Sequence, residues 1–295
     1  AATSPAGPRR NCEHTPGGIA VDEKMIAVDG RRLQVSGTGS GPVTLLILSG
    51  SNILFPSLEY ASLANALSPW YSVLIPSKFG YGHSDLTEAP RDVDTVVEEY
   101  RRALAACGRP VPVVLAAHSM GFLEALHWAS KYPEEVSALV GLDPAVPEVY
   151  QHMDLDAILG RLDALNRSNW KRALLFRLLT PALLGRCPAM ERKRLMADAR
   201  RNFISVVWVN EARDLHRSVR QVEQEGPPLS HPTLFLLSNG KGTPLAGDVW
   251  RACGQHYLSA LPVSSLRTFD LPHDLYRCRP RELTDTIHRF LLGHL

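Results

Sequence analysis

The sequence predicts an α/β protein whose mostly parallel sheet is flanked by helices, with a helical segment inserted between two strands. Three observations carry this prediction. Short apolar runs typical of buried strands alternate with helical patterns between Met25 and Asp143. Over 144–228 no strong strand pattern occurs, and this stretch is far longer than an ordinary connection. The alternation of strand and helix patterns then resumes, which favours one parallel sheet covered on both faces.

The first half of the chain supplies most of the predicted sheet. Asp29-Gly30 separates two β-prone runs and predicts a two-residue hairpin. Asp92 opens an amphipathic pattern and is a typical helix-capping residue. The predicted strands are Met25–Val28, Arg32–Val35, Val43–Leu48, Tyr71–Ile75, Val111–Ala116 and Val136–Leu142, and the predicted helices are Ser57–Leu67, Asp92–Ala106 and Met120–Lys131.

The second half divides into the insertion and the end of the sheet. Helical patterns cover Leu155–Leu165, Trp170–Leu179, Ala189–Phe203 and Val206–Gln224, followed by strands Thr233–Leu237 and Ser264–Phe269 and helices Leu245–Leu261 and Arg281–Leu292. The sequence therefore predicts a disordered leader over 1–20, a first core part over 21–143, a helical cap over 144–228 and a second core part over 229–295.

Composition narrows the classes of partner. The 295-residue chain has 32 basic and 30 acidic residues and a net charge of +2, which favours neither nucleic acid nor an anionic membrane as a partner. No apolar run is long enough for a stable membrane anchor. Five cysteines occur without a CxxC pair, and no His/Asp/Glu cluster has ligand spacing, so neither a metal nor a cofactor is expected. A soluble protein is expected, cytoplasmic or secreted after removal of a signal peptide. Its oligomeric state is left open.

A candidate nucleophile lies where the predicted strand Val111–Ala116 meets the next helix. The junction reads Ala117-His118-Ser119-Met120-Gly121. Small residues flanking a Ser at such a turn let the chain bend sharply and expose the hydroxyl. The following helix also directs its N-terminus at the place where negative charge would develop. Ser119 is therefore the predicted nucleophile.

This junction resembles the nucleophile elbow of the α/β-hydrolase superfamily, with Ala117 in place of the first Gly. The resemblance extends to Leu48–Asn52, where Ser49 replaces the usual His, to the turn Gly80–Asp85, and to Leu271–His273 after the last strand. It is greatest to the capped serine hydrolase branch, which is esterase- or lipase-like. It implies an α/β-hydrolase fold and an ester hydrolase that acts through an acyl-enzyme. A Ser nucleophile argues against dehalogenase and epoxide hydrolase chemistry, which use Asp there.

The resemblance also assigns the partners of Ser119. His273 is the predicted general base, because it follows the last strand at the carboxyl edge of the sheet. The backbone amides of Ser51 and Met120 are the predicted oxyanion donors. Two positions compete for the acid. Asp143, in Gly-Leu-Asp-Pro, is favoured over Asp248, because the stretch 238–243 that usually carries the acid has no carboxylate.

The substrate is the least constrained part of the prediction. Asn52, Ile53 and Trp208 are candidates for the binding pocket, although the apolar residues of the insertion can equally form its own core. The leading hypothesis is a serine hydrolase whose substrate is a small-molecule ester with a small or medium hydrophobic acyl group. The alternatives are a thioesterase or acyltransferase, and a ligand-binding receptor built on a hydrolase scaffold.

Overall fold

The computed structural model describes residues 22–184 and 189–295, so the predicted leader over 1–20 lies outside the described residues. The strands are β1 (Asp22–Val28), β2 (Arg31–Thr38), β3 (Val43–Leu48), β4 (Tyr71–Ser77), β5 (Val113–Ser119), β6 (Val136–Pro144), β7 (Thr233–Leu237) and β8 (Ser264–Thr268). The helices are α1 (Pro56–Glu59), α2 (Ala61–Leu67), α3 (Val93–Ala106), α4 (Gly121–Lys131), α5 (Pro147–Gln151), α6 (Leu155–Arg167), α7 (Asn169–Leu184), α8 (Ala189–Asn202), α9 (Val206–Glu225), α10 (Gly247–Ser259), α11 (Leu275–Cys278) and α12 (Pro280–Leu292).

One eight-stranded sheet has the order β1-β2-β4-β3-β5-β6-β7-β8. Six neighbouring strands are parallel to one another, namely β4, β3, β5, β6, β7 and β8. Strand β2 is antiparallel to both β1 and β4. The hairpin between β1 and β2 turns at Asp29 and Gly30, whose φ angles of 50° and 75° fit the two-residue turn that matches strand twist. The predicted α/β fold with a mostly parallel sheet is therefore confirmed.

Helices cover both faces of this sheet because its central strands are apolar on both sides. In β3, Leu46 and Leu48 point into one core cluster, with residues of α3, α4 and α10, whereas Leu45 and Ile47 point into the other, with residues of α2 and α12. This alternation is the two-residue period of a strand buried on both faces. It also explains why the strand reads as an unbroken apolar run.

The helices α5–α9 lie between β6 and β7 in the chain and cover the predicted insertion. A third apolar cluster joins them to the loop after β3: Leu54 and Phe55 of this loop pack with Phe176, Phe203 and Trp208. Helices α6, α8 and α9 start and end close to the predicted positions, whereas α7 continues past the predicted end at Leu179 to Leu184. The division of the chain into core and cap domains stays a prediction. No helix among the described residues is both long and apolar enough to cross a bilayer.

Three local differences from the predicted elements have simple causes. β5 begins at Val113 rather than Val111, since Pro112 has no N–H to donate to a strand ladder. The predicted helix over 57–67 is two helices separated by Tyr60, whose ψ of 3° interrupts the helical backbone while its ring is fully buried. The short helices α5 and α11 were not predicted, because a single helical turn carries no readable period.

Candidate active site

Ser119 ends β5 and adopts φ 52°, a left-handed conformation that is strained for a residue with a Cβ. Helix α4 begins two residues later, at Gly121. A Cβ on Gly121 would lie 2.7 Å from Ser49 O and 3.0 Å from Leu48 O, so only glycine lets α4 start this close to the end of β3. The sequence thus bends sharply at Ser119, as the predicted elbow requires.

The structure brings together two of the three residues predicted to act with one another. His273 Nδ1 lies 2.6 Å from Asp143 Oδ2, and the Asp143 side chain is fully buried. Asp143 is the penultimate residue of β6, and His273 follows β8, so the carboxyl edge of the parallel sheet gathers both. The competing carboxylate, Asp248, is exposed in the first turn of α10 and is not the one that contacts the His273 ring.

The second carboxylate oxygen of Asp143 is fixed by two hydrogen-bond donors. Asp143 Oδ1 accepts a hydrogen bond from the backbone N–H of Ser238 at 2.7 Å and one from Trp250 Nε1 at 3.0 Å. Two donors on one oxygen fix the plane of the carboxylate and leave the other oxygen for the imidazole. Sequence reasoning missed Trp250, because nothing in a helical Trp far along the chain indicates such a contact.

Ser119 lies at the same edge of the sheet as this pair. Its carbonyl oxygen accepts a hydrogen bond of 3.0 Å from the N–H of Ala145, two residues after Asp143. Among the described residues, the His273 ring hydrogen-bonds to Asp143 and not to Ser119. A contact between nucleophile and base often tightens only when substrate binds, so the absence of this bond does not argue against the pair.

His118, the residue before Ser119, is a buried neighbour of His273. The centroids of the two rings are 4.5 Å apart, and His118 Nδ1 lies 3.1 Å from the hydroxyl of Tyr60. Burial, reinforced by the nearby charge of His273, holds the pKa of His118 well below its usual value. His118 is therefore held neutral where it packs against the His273 ring.

The turn predicted to supply an oxyanion donor is tied to the protein by Tyr81. Asn52 adopts φ 63° in this turn, and its backbone N–H donates to the Tyr81 hydroxyl at 3.3 Å. Neither the amide of Ser51 nor that of Met120 donates a hydrogen bond to another residue in the described ranges. Both predicted donors are thus uncommitted, while the residue after Ser51 is fixed.

The three predicted pocket residues have different surroundings. The Asn52 side chain is exposed, and Ile53 is half-buried against the cluster around α2 and α12. Trp208 is 4% exposed and packs within the third cluster, with its ring 6.0 Å from that of Tyr81. Trp208 therefore helps to join α9 to the loops that carry Phe55 and Tyr81, and its contact with substrate stays a prediction.

Three buried charged side chains are linked to the turn at Asn52 through Tyr81. Lys78 Nζ lies 2.9 Å from Glu124 Oε1 on α4 and 2.9 Å from Glu211 Oε1 on α9. The Tyr81 hydroxyl donates to Glu211 Oε2 at 2.5 Å, so the charge group reaches the Asn52 amide through one side chain. Burial raises the pKa of Glu124, although Lys78 beside it opposes that rise. Burial lowers the pKa of Lys78, but the two carboxylates outweigh burial and raise it overall.

Replacing Gly50 by Ala is expected to lower kcat about tenfold. A Cβ at this position would lie 3.0 Å from Ser119 Cβ and 3.1 Å from His118 Nδ1, so the turn and the elbow would move apart by a few tenths of an ångström. The check is the steady-state rate on a short-chain ester, the substrate class that the sequence predicts. Gly160→Ala, where a Cβ meets nothing within 4 Å, is the control and should leave kcat unchanged. Equal rates for the two variants would contradict this prediction.

Comparison with known proteins agrees with the observed fold. A sequence model of the alpha/beta hydrolase fold matches residues 45–214, more than half of the chain. The chain belongs to the α/β-hydrolase family. The Bacillus subtilis (strain 168) protein YbdG, itself uncharacterized, is 35% identical over 134 residues, which are 45% of this chain and 41% of YbdG. The lipase LipV of Mycobacterium tuberculosis H37Rv is 36% identical over 107 residues, 36% of this chain and 39% of LipV.

The matched segments thus span about two fifths of the length of these two curated relatives. Solved structures match over a longer stretch. The crystal structure of the enol-lactonase from Burkholderia xenovorans LB400 is 18% identical, has a TM-score of 0.65 and covers 91% of this chain and 100% of its own. At this identity the likeness concerns the α/β-hydrolase fold alone.

Proposed function

We propose that this α/β-hydrolase is a serine hydrolase that cleaves carboxylic esters through an acyl-enzyme on Ser119. One observation carries the proposal: the hydrogen bond of 2.6 Å between His273 Nδ1 and the buried carboxylate of Asp143, at the sheet edge where Ser119 ends its strand. A buried carboxylate on one ring nitrogen leaves the other nitrogen, Nε2, unprotonated and able to accept a proton from a hydroxyl. This is the arrangement that ester hydrolysis by a Ser nucleophile requires.

The mechanism follows from the roles of these groups. His273 Nε2 takes the proton of the Ser119 hydroxyl while Ser119 Oγ attacks the ester carbonyl carbon. The amides of Ser51 and Met120 stabilise the oxyanion, aided by the N-terminus of α4. Protonated His273 gives its proton to the departing alcohol, and water then cleaves the acyl-enzyme by the same steps in reverse. Asp143 stabilises the charged imidazole throughout.

The acyl group is proposed to be small or medium in size and hydrophobic. The loop after β3 carries Leu54 and Phe55, which pack with Trp208 of α9 next to the oxyanion turn. Helices α5–α9 would then act as a cap over the site, with Asn52 and Ile53 at the edge of the pocket. The name of the lipase LipV describes cleavage of ester bonds, which supports this class of substrate.

The test combines covalent labelling with turnover. Wild type is expected to react with a fluorophosphonate probe and to hydrolyse short-chain p-nitrophenyl esters, whereas Ser119→Ala should do neither. Ser130→Ala, at the other end of α4, is the matched control and should match wild type in both measurements. An unlabelled wild type, or equal labelling of Ser119→Ala, would refute the assignment of the nucleophile. Labelling without turnover would instead favour a receptor on a hydrolase scaffold.

A further inference from the structure

A mixed group of potential metal ligands lies outside the proposed active site. Glu148 is on α5, His152 follows its last residue, and Cys253 is on α10. A carboxylate oxygen, a ring nitrogen and the Sγ atom of these three residues all lie within 4.8 Å of one another. Among the residues that the structure describes, no other three His, Cys, Asp or Glu side chains place their ligand atoms this close together.

Local structure explains the group. Glu148 and His152 are four residues apart, so one helical turn places both on the same side of α5. Helix α10 packs against α5 and presents Cys253 from the opposite side. The Cys253 thiol is free, and the residue is 2% exposed and part of the main core cluster. His152 is exposed, which leaves a path from solvent to the group.

A fourth side chain orients the carboxylate. His256 is three residues after Cys253 on α10, and its Nδ1 lies 2.7 Å from Glu148 Oε2. A histidine that holds a ligating carboxylate in place is a typical outer contact of a metal site. The two helices thus contribute a Glu-x-x-x-His and a Cys-x-x-His pair that face each other.

We propose that Glu148, His152 and Cys253 bind a zinc ion. Thiolate, imidazole and carboxylate together are a donor set that suits zinc, whereas calcium and magnesium prefer oxygen ligands alone. Three protein ligands leave one tetrahedral position, which water fills. The thiol releases its proton to solvent as the sulfur–zinc bond forms.

The proposed zinc site lies close to Asp143 and to its hydrogen-bond partner Trp250. Glu148 lies five residues after Asp143, and Cys253 lies three residues after Trp250, whose indole donates to Asp143. The ion therefore crosslinks α5 and α10, the two helices adjacent to Asp143. The proposal does not depend on ester hydrolysis, because binding can be measured in the absence of any substrate.

The test uses the full chain, purified without a histidine tag and stripped with a chelator. Wild type is expected to bind one equivalent of Zn²⁺ by isothermal titration. Its thermal midpoint should rise by about 5 °C when zinc is present at a hundred times its Kd. Co²⁺ in place of zinc should give the near-ultraviolet charge-transfer absorption of a thiolate ligand.

Variants assign the ion to the site. Cys253→Ser should remove the Co²⁺ thiolate band and weaken zinc binding more than a hundredfold, and His256→Gln should weaken it about 10- to 100-fold. Cys107→Ser replaces the other thiol that the structure describes as free, so it is the matched control and should bind zinc like wild type. If wild type binds no zinc, or if Cys253→Ser binds it as well as Cys107→Ser does, the proposal is wrong.

Discussion

Replacing Asp143 by Asn should lower kcat for ester hydrolysis by about 10⁴-fold. The reason is that two hydrogen-bond donors contact Asp143 Oδ1. The Ser238 amide and the Trp250 indole both need an acceptor, so they hold the amide oxygen of the substituted side chain in the place of Oδ1. The NH2 group then faces His273 Nδ1 and forces that nitrogen to act as the acceptor. His273 Nε2 carries the proton instead and cannot take one from Ser119.

The measurement is kcat on a short-chain ester as a function of pH, together with the circular dichroism spectrum. Asn has the shape of Asp and keeps both donors satisfied, so the folded spectrum should be unchanged. Asp248→Asn, at the exposed start of α10, is the control and should stay within about twofold of wild type. A large loss in Asp248→Asn with a small one in Asp143→Asn would identify Asp248 as the acid.

Replacing Lys78 by Met should lower the free energy of unfolding by about 3–5 kcal/mol. Lys78 has no exposed surface, and the side chains of Glu124 and Glu211 are only 5% exposed. Removing the cation leaves two buried carboxylates without a counter-charge, and Met is long enough to fill the space without replacing the charge. The Tyr100 hydroxyl donates to Glu124 at 3.1 Å, which offsets little of this cost.

Guanidinium unfolding followed by circular dichroism measures the effect. Lys131→Met is the matched control, because Lys131 also contacts two carboxylates, those of Asp94 and Glu98, but its side chain is 35% exposed. Screening by water should limit the cost of that substitution to below about 1 kcal/mol. Equal losses in the two variants would show that burial of Lys78 does not set the cost.

Local patterns in the sequence predict most of the elements because their physical causes are local. The run Val43–Leu48 is apolar at nearly every position, and it forms the central strand β3 with the predicted ends. Asp92 caps α3 as predicted, by accepting a hydrogen bond from the Thr95 N–H. The turn at Asp29-Gly30 is equally local. By contrast, the break at Tyr60 depends on burying its ring between helices and sheet, which no pattern of neighbours reveals.

By itself, the sequence determined the order of strands and helices, the sharp turn at Ser119 and the family resemblance, since each depends on residues close together in the chain. Only the tertiary structure decided that Asp143 rather than Asp248 contacts His273, because 130 residues separate the two partners. The same holds for the hydrogen bond from Trp250 to Asp143, for the bond between Tyr81 and the Asn52 amide, and for the pairing of Lys78 with Glu124 and Glu211. Asp143 and His273 meet because parallel strands bring their carboxyl ends to one edge, whatever their separation in the sequence. The other contacts form because the helices that carry Glu124, Glu211 and Trp250 pack against the sheet and its loops.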